Sequence, residues 1–204
     1  MRRIAISYCV FALSLALAAA SARADGMYPN FAGPNGADFS GFEVGPDVGL
    51  GLGTASGASV SGPIGGAHLG YNLQTNRIVG GVEGDVMFSG MSSGALGSSA
   101  SFGQNVLGSA RVKGGYSFGD LLAYGTIGWG WSNTTFQDSG VSSSEAVKGL
   151  AFGVGAEYAI TRNFSVRAEY LRYDFGNANY VTPASTQTIN TSTNALRIGG
   201  SVHF

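Results

Sequence analysis

The chain has 204 residues and a formal net charge of −1, with 11% charged residues, 44% hydrophobic residues and 34 glycines. An ordinary soluble domain has about 25% charged residues, so a soluble fold with this composition would have a poorly solvated exterior. The weakly acidic balance excludes a basic nucleic-acid-binding surface, and the single cysteine, Cys9, excludes an intrachain disulfide.

Residues 1–24 have the layout of a secretory signal peptide. Two arginines at the start precede an apolar run, Ile4–Ala20, and Ala22-Arg23-Ala24 forms a small-x-small cleavage site. A membrane anchor is the alternative, but the apolar run is short for a bilayer span. Cleavage after Ala24 would remove three of the 11 basic residues and none of the 12 acidic ones, leaving a net charge of −4. We therefore predict an exported chain without its one cysteine.

Eight strands are predicted within residues 40–204, after a flexible amino-terminal segment at 25–39 that is rich in Gly, Pro and Asn. Each strand has the two-residue period of a segment with one apolar and one polar face. In the fourth strand, for example, Val112 stands between Arg111 and Lys113. The predicted strands cover, in chain order, about 40–53, 64–74, 78–88, 106–118, 123–131, 150–158, 166–170 and 194–204.

The connections between these strands alternate between short and long. Only a few residues join strands two and three, four and five, and six and seven. The other connections are longer and rich in Ser, Thr, Gly and Asn, as at Ser89–Gln104, Ser132–Glu145 and Gly176–Thr193. Short turns at one end and long loops at the other are typical of outer-membrane barrels, whose short turns face the periplasm.

The large size of the side chains on the apolar face distinguishes a membrane barrel from a soluble one. A soluble barrel of the lipocalin kind, the alternative, would bury its apolar face and expose its charges to water. Because eight strands enclose little volume, the bulky apolar face belongs outside. The sequence thus predicts an all-β, eight-stranded antiparallel up-and-down transmembrane β-barrel. Its inward charges are expected to form a lumen ion-pair network: Glu43, Asp47, Glu83, Asp85, Arg111, Lys113, Glu157, Arg167, Glu169 and Arg197.

Aromatic side chains fall near both ends of the predicted strands, on the apolar face. Such belts are expected where a barrel meets the two membrane–water interfaces. The predicted aromatic girdle comprises Tyr71, Phe88, Tyr116, Phe118, Trp129, Trp131, Tyr158, Phe164 and Tyr170.

Several stretches resemble the small outer-membrane β-barrel proteins of alphaproteobacteria, described as porin-family, opacity-like or OmpA-like barrels. The matching stretches are 70–74 (GYNLQ), 81–85 (GVEGD), 111–116 (RVKGGY), 124–128 (YGTIG) and the terminal Phe204. The resemblance implies a cell outer membrane location and insertion by the barrel-assembly machinery, for which Phe204 would be the assembly signal. It implies contact with outer-membrane lipids and lipopolysaccharide, and we expect a monomer.

A structural role in the envelope, with at most a weak passive conductance, is the predicted function. Six acids face four bases in the network, so any current is expected to favour cations, although the charges could serve structure alone. A surface ligand-binding protein is the alternative, in which Tyr173, Tyr180 and the long loops contact haem or a host or adhesion ligand. Binding that survives deletion of Asn177–Thr193 would exclude that loop as the site.

No catalytic residue, cofactor site or metal site is predicted, and the chain is not expected to be an enzyme. A lipid-acting Ser/His/acid site would need a histidine on the lipid-facing side near the outer rim. His68 and His203 instead fall on the inward face. Two histidines with no second ligand close to them in the pattern also make a poor metal site.

Overall fold

The computed structural model describes residues 36–55, 58–92, 101–138, 141–182 and 185–204. The predicted signal peptide and residues 25–35 lie outside the described residues. None of the described segments forms a helix with the length and hydropathy that a membrane span needs. The strands are β1 (Gly41–Ala55), β2 (Ala58–Thr75), β3 (Ile78–Ser92), β4 (Ser101–Phe118), β5 (Leu121–Asp138), β6 (Val141–Ala159), β7 (Phe164–Thr182) and β8 (Ser185–His203).

These eight strands form one closed antiparallel barrel. Each strand pairs with the next in sequence, and β1 closes the sheet against β8, for example with Val48 opposite Ile198. The predicted fold class is confirmed. The predicted faces are also observed: Val112, Ile127 and Leu196 are more than half exposed on the outside. Their sequence neighbours Arg111 and Arg197 are buried inside.

The strands are longer than predicted, because two of the expected long loops are mostly strand and a third is strand at both of its ends. β4 begins at Ser101, and the β5–β6 and β7–β8 ladders continue to Asp138–Val141 and Thr182–Ser185. The backbone hydrogen bonds between strands do not require alternating apolar side chains. Sequence rich in Ser, Thr and Asn can therefore extend a strand although it lacks the two-residue hydrophobic period by which strands are predicted. Residues 93–100, 139–140 and 183–184 lie outside the described residues.

Both ends of the described chain lie at the end of the barrel where the turns are short, which we call the short-turn end. Asn76 takes a positive φ of 57° between β2 and β3, and Gly119 takes 82° between β4 and β5. A left-handed backbone of this kind favours Gly and Asn. The opposite end, with the β1–β2, β3–β4, β5–β6 and β7–β8 connections, is the far end.

The interior is filled in three layers. The charged layer lies in the short-turn half of the strands and contains the ten residues of the predicted network. The outer apolar layer lies between it and the far end and consists of Val60, Ile64, Met87, Met91, Leu107, Val147, Ala151, Leu171, Tyr173, Phe175 and Ala195. The mouth plug closes the short-turn end and consists of Ala37, Phe39, Val79, Leu122 and Tyr124.

Candidate functional site

The charged layer is the candidate functional site, and the structure brings all ten predicted residues together inside it. Six strands supply them, and each is at most 3% exposed. This placement follows from strand geometry, because every second side chain of a strand points to the same face of the sheet, here into the barrel. We call these positions those of inward parity. The residues are Glu43 and Asp47 of β1, Glu83 and Asp85 of β3, Arg111 and Lys113 of β4, Glu157 of β6, Arg167 and Glu169 of β7, and Arg197 of β8.

Glu83 is the centre of the ion-pair network. Arg167 forms a two-point contact with it, Nη1 donating to Oε2 at 2.6 Å and Nη2 donating to Oε1 at 3.1 Å. Arg111 Nη2 donates to Oε1 as well, and Lys113 Nζ lies 3.2 Å from Oε2. Arg197 Nη2 donates to the same Oε1 at 3.2 Å. One carboxylate therefore joins four cations that come from three strands.

Arg167 and Arg197 carry the network across the lumen to the other acids. Arg167 Nε donates to Asp47 Oδ1 at 3.2 Å. Arg197 Nε and Nη2 both donate to Glu169 Oε2, at 2.8 and 2.6 Å. The Arg197–Glu169 pair lies across the neighbouring strands β8 and β7. The Arg167–Asp47 bond links β7 and β1, which are not neighbours in the sheet, so the network braces the barrel across its interior.

Both histidines take part in the charged layer. His68 Nδ1 lies 2.9 Å from Asp47 Oδ2, and its Nε2 lies 3.0 Å from Ser201 Oγ. This order of acid, imidazole and serine is that of a hydrolase triad. Ser201 is nevertheless fully buried in a filled lumen, so no substrate can reach its hydroxyl. The chain of hydrogen bonds serves to hold β1, β2 and β8 together.

His203 forms the second imidazole–carboxylate pair, at the short-turn side of the layer. Its Nε2 lies 2.9 Å from Glu157 Oε1 and 3.0 Å from Ser165 Oγ. The register of β1 against β8 sets Glu43 directly opposite His203. Sequence reasoning missed these carboxylate neighbours because Glu157 and Glu43 are distant from His203 in the chain.

Two inward glycines of β6 lie against large side chains inside the barrel. Gly155 lies under the ring of Tyr124, and Gly153 lies against the side chain of Leu171. A Cβ atom at either position would clash with those side chains. These glycines therefore make room for large neighbouring groups that fill the lumen.

Tyr173 does not lie on the surface, so its predicted role in stacking on an exposed ligand is wrong. It is 1% exposed, and its ring stacks on Phe175 with centroids 5.9 Å apart. Tyr173 follows Leu171 by two residues and Glu169 by four on β7, so it has the same inward parity. The side chain of Tyr180 lies outside the described residues.

Residues 36–39 are the described part of the segment 25–39 that is predicted to be flexible, and two of them belong to the mouth plug. Phe39 is 1% exposed, and its backbone amide donates to Gln74 Oε1 at 2.8 Å. The amide of Ala37 donates to the carbonyl of Gly119 at 3.1 Å. The only sequence signal for this packing is an aromatic residue just before the first strand. That signal does not indicate that the ring points into the barrel.

The predicted girdle residues all face outward, together with Phe204. Trp129 is the most exposed of them, at 74%. Phe204 is also exposed, while its backbone amide donates to the carbonyl of Phe42 at 2.9 Å, so the end of β8 is tied to the start of β1. Tilted ring pairs, Phe42 with Tyr71 and Tyr116 with Phe118, have centroids 4.8 Å apart near the short-turn end.

Comparison with known proteins finds relatives that are outer membrane proteins. A family model described as "Outer membrane protein beta-barrel domain" matches residues 9–204. A 22 kDa outer membrane protein of Rhizobium leguminosarum bv. viciae is 31% identical over 135 residues, which cover 66% of this chain and 63% of that protein. A 25 kDa outer-membrane immunogenic protein of Brucella abortus biovar 1 (strain 9-941) is 31% identical over 134 residues, covering 66% and 62%. The chain thus spans less than two thirds of the length of these relatives.

Solved structures share the barrel at lower sequence identity. Neisserial surface protein A has a TM-score of 0.57 at 22% identity, covering 81% of this chain and 98% of that one. OprG from Pseudomonas aeruginosa has a TM-score of 0.54 at 15% identity, covering 83% and 98%. At these identities the likeness concerns the fold alone.

Proposed function

The chain belongs to the outer membrane protein β-barrel domain family, and on that premise we propose that it is a closed structural barrel of the envelope. Its relatives are alphaproteobacterial outer membrane proteins, as the resemblance implied, and its location is the cell outer membrane. The short-turn end then faces the periplasm and the far end faces outward, because short turns are periplasmic in this architecture.

The filled lumen is the observation that supports this proposal. A solute entering from the far end would meet the outer apolar layer, in which Leu107, Leu171 and Tyr173 are at most 1% exposed. It would then meet the paired charges, and finally Phe39 at the periplasmic mouth. Eight strands leave room for packed side chains and no continuous channel. Any residual leak is expected to be small and to favour cations, since six buried acids face four buried bases among the described residues.

A strain that lacks the gene tests the structural role. We expect it to become more sensitive to detergent and to leak periplasmic proteins, while uptake of small hydrophilic solutes stays unchanged. Restoring the wild-type gene should reverse the leakage. Slower uptake of a small solute in the deletion strain would contradict the proposal and favour a transport role.

The proposed partners are the lipids around the barrel and the machinery that assembles it. The outward apolar face contacts outer-membrane lipids and lipopolysaccharide, and one barrel forms a complete unit, so a monomer suffices. The barrel-assembly machinery recognises the strand that ends in Phe204. The alternative role, ligand binding at the far end, stays a prediction, because most side chains there lie outside the described residues.

Removal of Phe204 tests the assembly signal. We expect deletion of this residue to lower the amount of barrel assembled in cells several-fold, because the terminal aromatic would no longer be recognised. The unfolding midpoint of the barrels that do assemble should fall less than the yield does, since the Phe204 side chain is exposed and only its backbone bond to Phe42 is lost. Heat-modifiable migration in detergent gels measures the assembled fraction, and an unchanged yield would show that Phe204 is no assembly signal.

A further inference from the structure

His203 meets two carboxylates at the periplasmic side of the charged layer. One potential ligand atom from each of Glu43, Glu157 and His203 lies within 4.8 Å of the others, and all three residues are buried. Three strands supply them: β1, β6 and β8. Among the described residues, no other group brings three such side chains this close.

We propose that Glu43, Glu157 and His203 bind one divalent transition-metal ion of the zinc class, which enters from the periplasmic mouth. One imidazole nitrogen and two carboxylate oxygens are ligands that Zn²⁺ takes in three-residue sites, with a further position left for water. The mixed nitrogen and oxygen set also disfavours Mg²⁺, which prefers oxygen ligands and retains its waters.

Unpartnered atoms in the cluster support this proposal. Glu157 Oε2 and His203 Nδ1 are buried and have no hydrogen-bond partner among the described residues. A buried acceptor without a partner is costly, and more so for a charged group. Glu157 already receives a 2.5 Å hydrogen bond from Ser165 and lies 2.9 Å from His203 at Oε1. Its second oxygen is therefore free to bind a cation while the first stays oriented.

The charge of the layer gives independent support. The described interior holds six buried acidic residues, four buried Lys and Arg residues and two buried histidines, so it has two excess negative charges when both imidazoles are neutral, as a metal-binding imidazole is. An excess of two negative charges in a confined, poorly solvated volume is unfavourable unless something compensates it. One divalent cation would bring the sum to zero.

Lys113 would give up its contact with Glu43 when the ion binds, and it keeps two other partners. Its Nζ lies 2.5 Å from Glu43 Oε1 and 3.2 Å from Glu83 Oε2. The same ammonium lies 5.0 Å from the ring centroid of Tyr124. When a metal ion takes its place beside Glu43, the ammonium keeps Glu83 and the aromatic face, which both stabilise a cation.

The entry path runs past Phe39. His203 is the most exposed member of the cluster, at 6%, and lies beside the periplasmic mouth. The Phe39 ring packs edge-on against the imidazole, with centroids 6.4 Å apart and planes at 77°. Phe39 precedes β1, so it can swing away from the mouth without disturbing the barrel ladder. A small hydrated ion could then reach the cluster.

The chain offers a matched pair of variants for the test. It contains two histidines, both in the lumen, and His68 pairs with Asp47 outside the cluster. We would purify the tag-free protein from outer membranes in detergent, strip it with a chelator and titrate Zn²⁺ by calorimetry. Wild type should bind one Zn²⁺ per barrel. His203→Gln should weaken binding at least about tenfold, whereas His68→Gln should leave it unchanged.

A second readout covers the case in which His203→Gln does not fold, as judged by heat-modifiable migration. Glu157→Gln keeps the side-chain shape and should also weaken Zn²⁺ binding, and Co²⁺ should give visible absorption bands in wild type that both variants lose. Excess Mg²⁺ should not displace Zn²⁺. Failure of wild type to bind Zn²⁺ saturably would overturn the proposal, as would equal losses in His68→Gln and His203→Gln.

Discussion

Replacement of Arg167 by methionine is expected to lower the free energy of unfolding by about 3–5 kcal/mol, the usual cost of breaking a buried ion pair from one side. Arg167 donates to Glu83, Asp47 and Glu169, and each of these carboxylates is at most 3% exposed. Without the guanidinium, the buried excess of negative charge rises and three acids lose a donor. Urea unfolding of the barrel in lipid vesicles, followed by tryptophan fluorescence, measures the loss.

A control variant and a double variant test whether the loss of stability comes from the buried ion pairs. Arg77→Met removes an exposed arginine from a turn and should change the free energy by less than about 0.5 kcal/mol. The double variant Arg167→Met with Glu83→Gln restores the charge difference between acids and bases, so it should lose less than the two single variants together. A difference of about 0.5–3 kcal/mol from additivity is expected for groups in contact. Strict additivity would show that Glu83 and Arg167 do not depend on each other.

Replacement of Ile127 by arginine is expected to cost about 2–4 kcal/mol, because the guanidinium would face lipid near the middle of the bilayer. Ile127 is 53% exposed on the outer face, and its cross-strand neighbours are Val112 and Phe152. Equilibrium folding into vesicles, with the wild type in parallel, measures the cost.

A position nearer the membrane interface provides the control for Ile127→Arg. Leu121 is also exposed on the outside of β5, at the periplasmic end of the strand. Leu121→Arg should cost only about 0–1 kcal/mol, since its side chain can reach the interface. Equal costs at the two positions would mean that Ile127 does not lie at mid-bilayer depth.

The parity of the strands could be predicted because it depends on neighbouring residues alone. Arg111 and Lys113 flank Val112, and a two-residue period then decides which side each takes. The same rule placed His68 and His203 inside. Strand length could not be read this way, because the ladder continues past Asp174 through sequence that has no apolar alternation.

The filling of the lumen could not be predicted for a different reason. Met87, Leu107 and Leu171 have inward parity, yet apolar residues at inward positions were not recognised as a layer. Their contact depends on the shear of the closed barrel, which sets strands at matching heights. The pairing of His203 with Glu157, and of Arg167 with Glu83, depends on that same three-dimensional register.

The closed lumen carries a consequence for how the barrel is stabilised. Paired charges of the charged layer link β1, β3, β4, β7 and β8, while lipid contact stabilises the outside. Buried ion pairs add little net free energy when intact but penalise any rearrangement that separates them. The network therefore favours one register of the eight strands over shifted ones.

Planar-bilayer recording of the purified wild-type barrel tests the closed lumen most directly. We predict either no current above the bare bilayer or a small leak that favours cations, because the outer apolar layer, the charged layer and Phe39 obstruct the lumen in series. A large, stable, anion-selective conductance would contradict it.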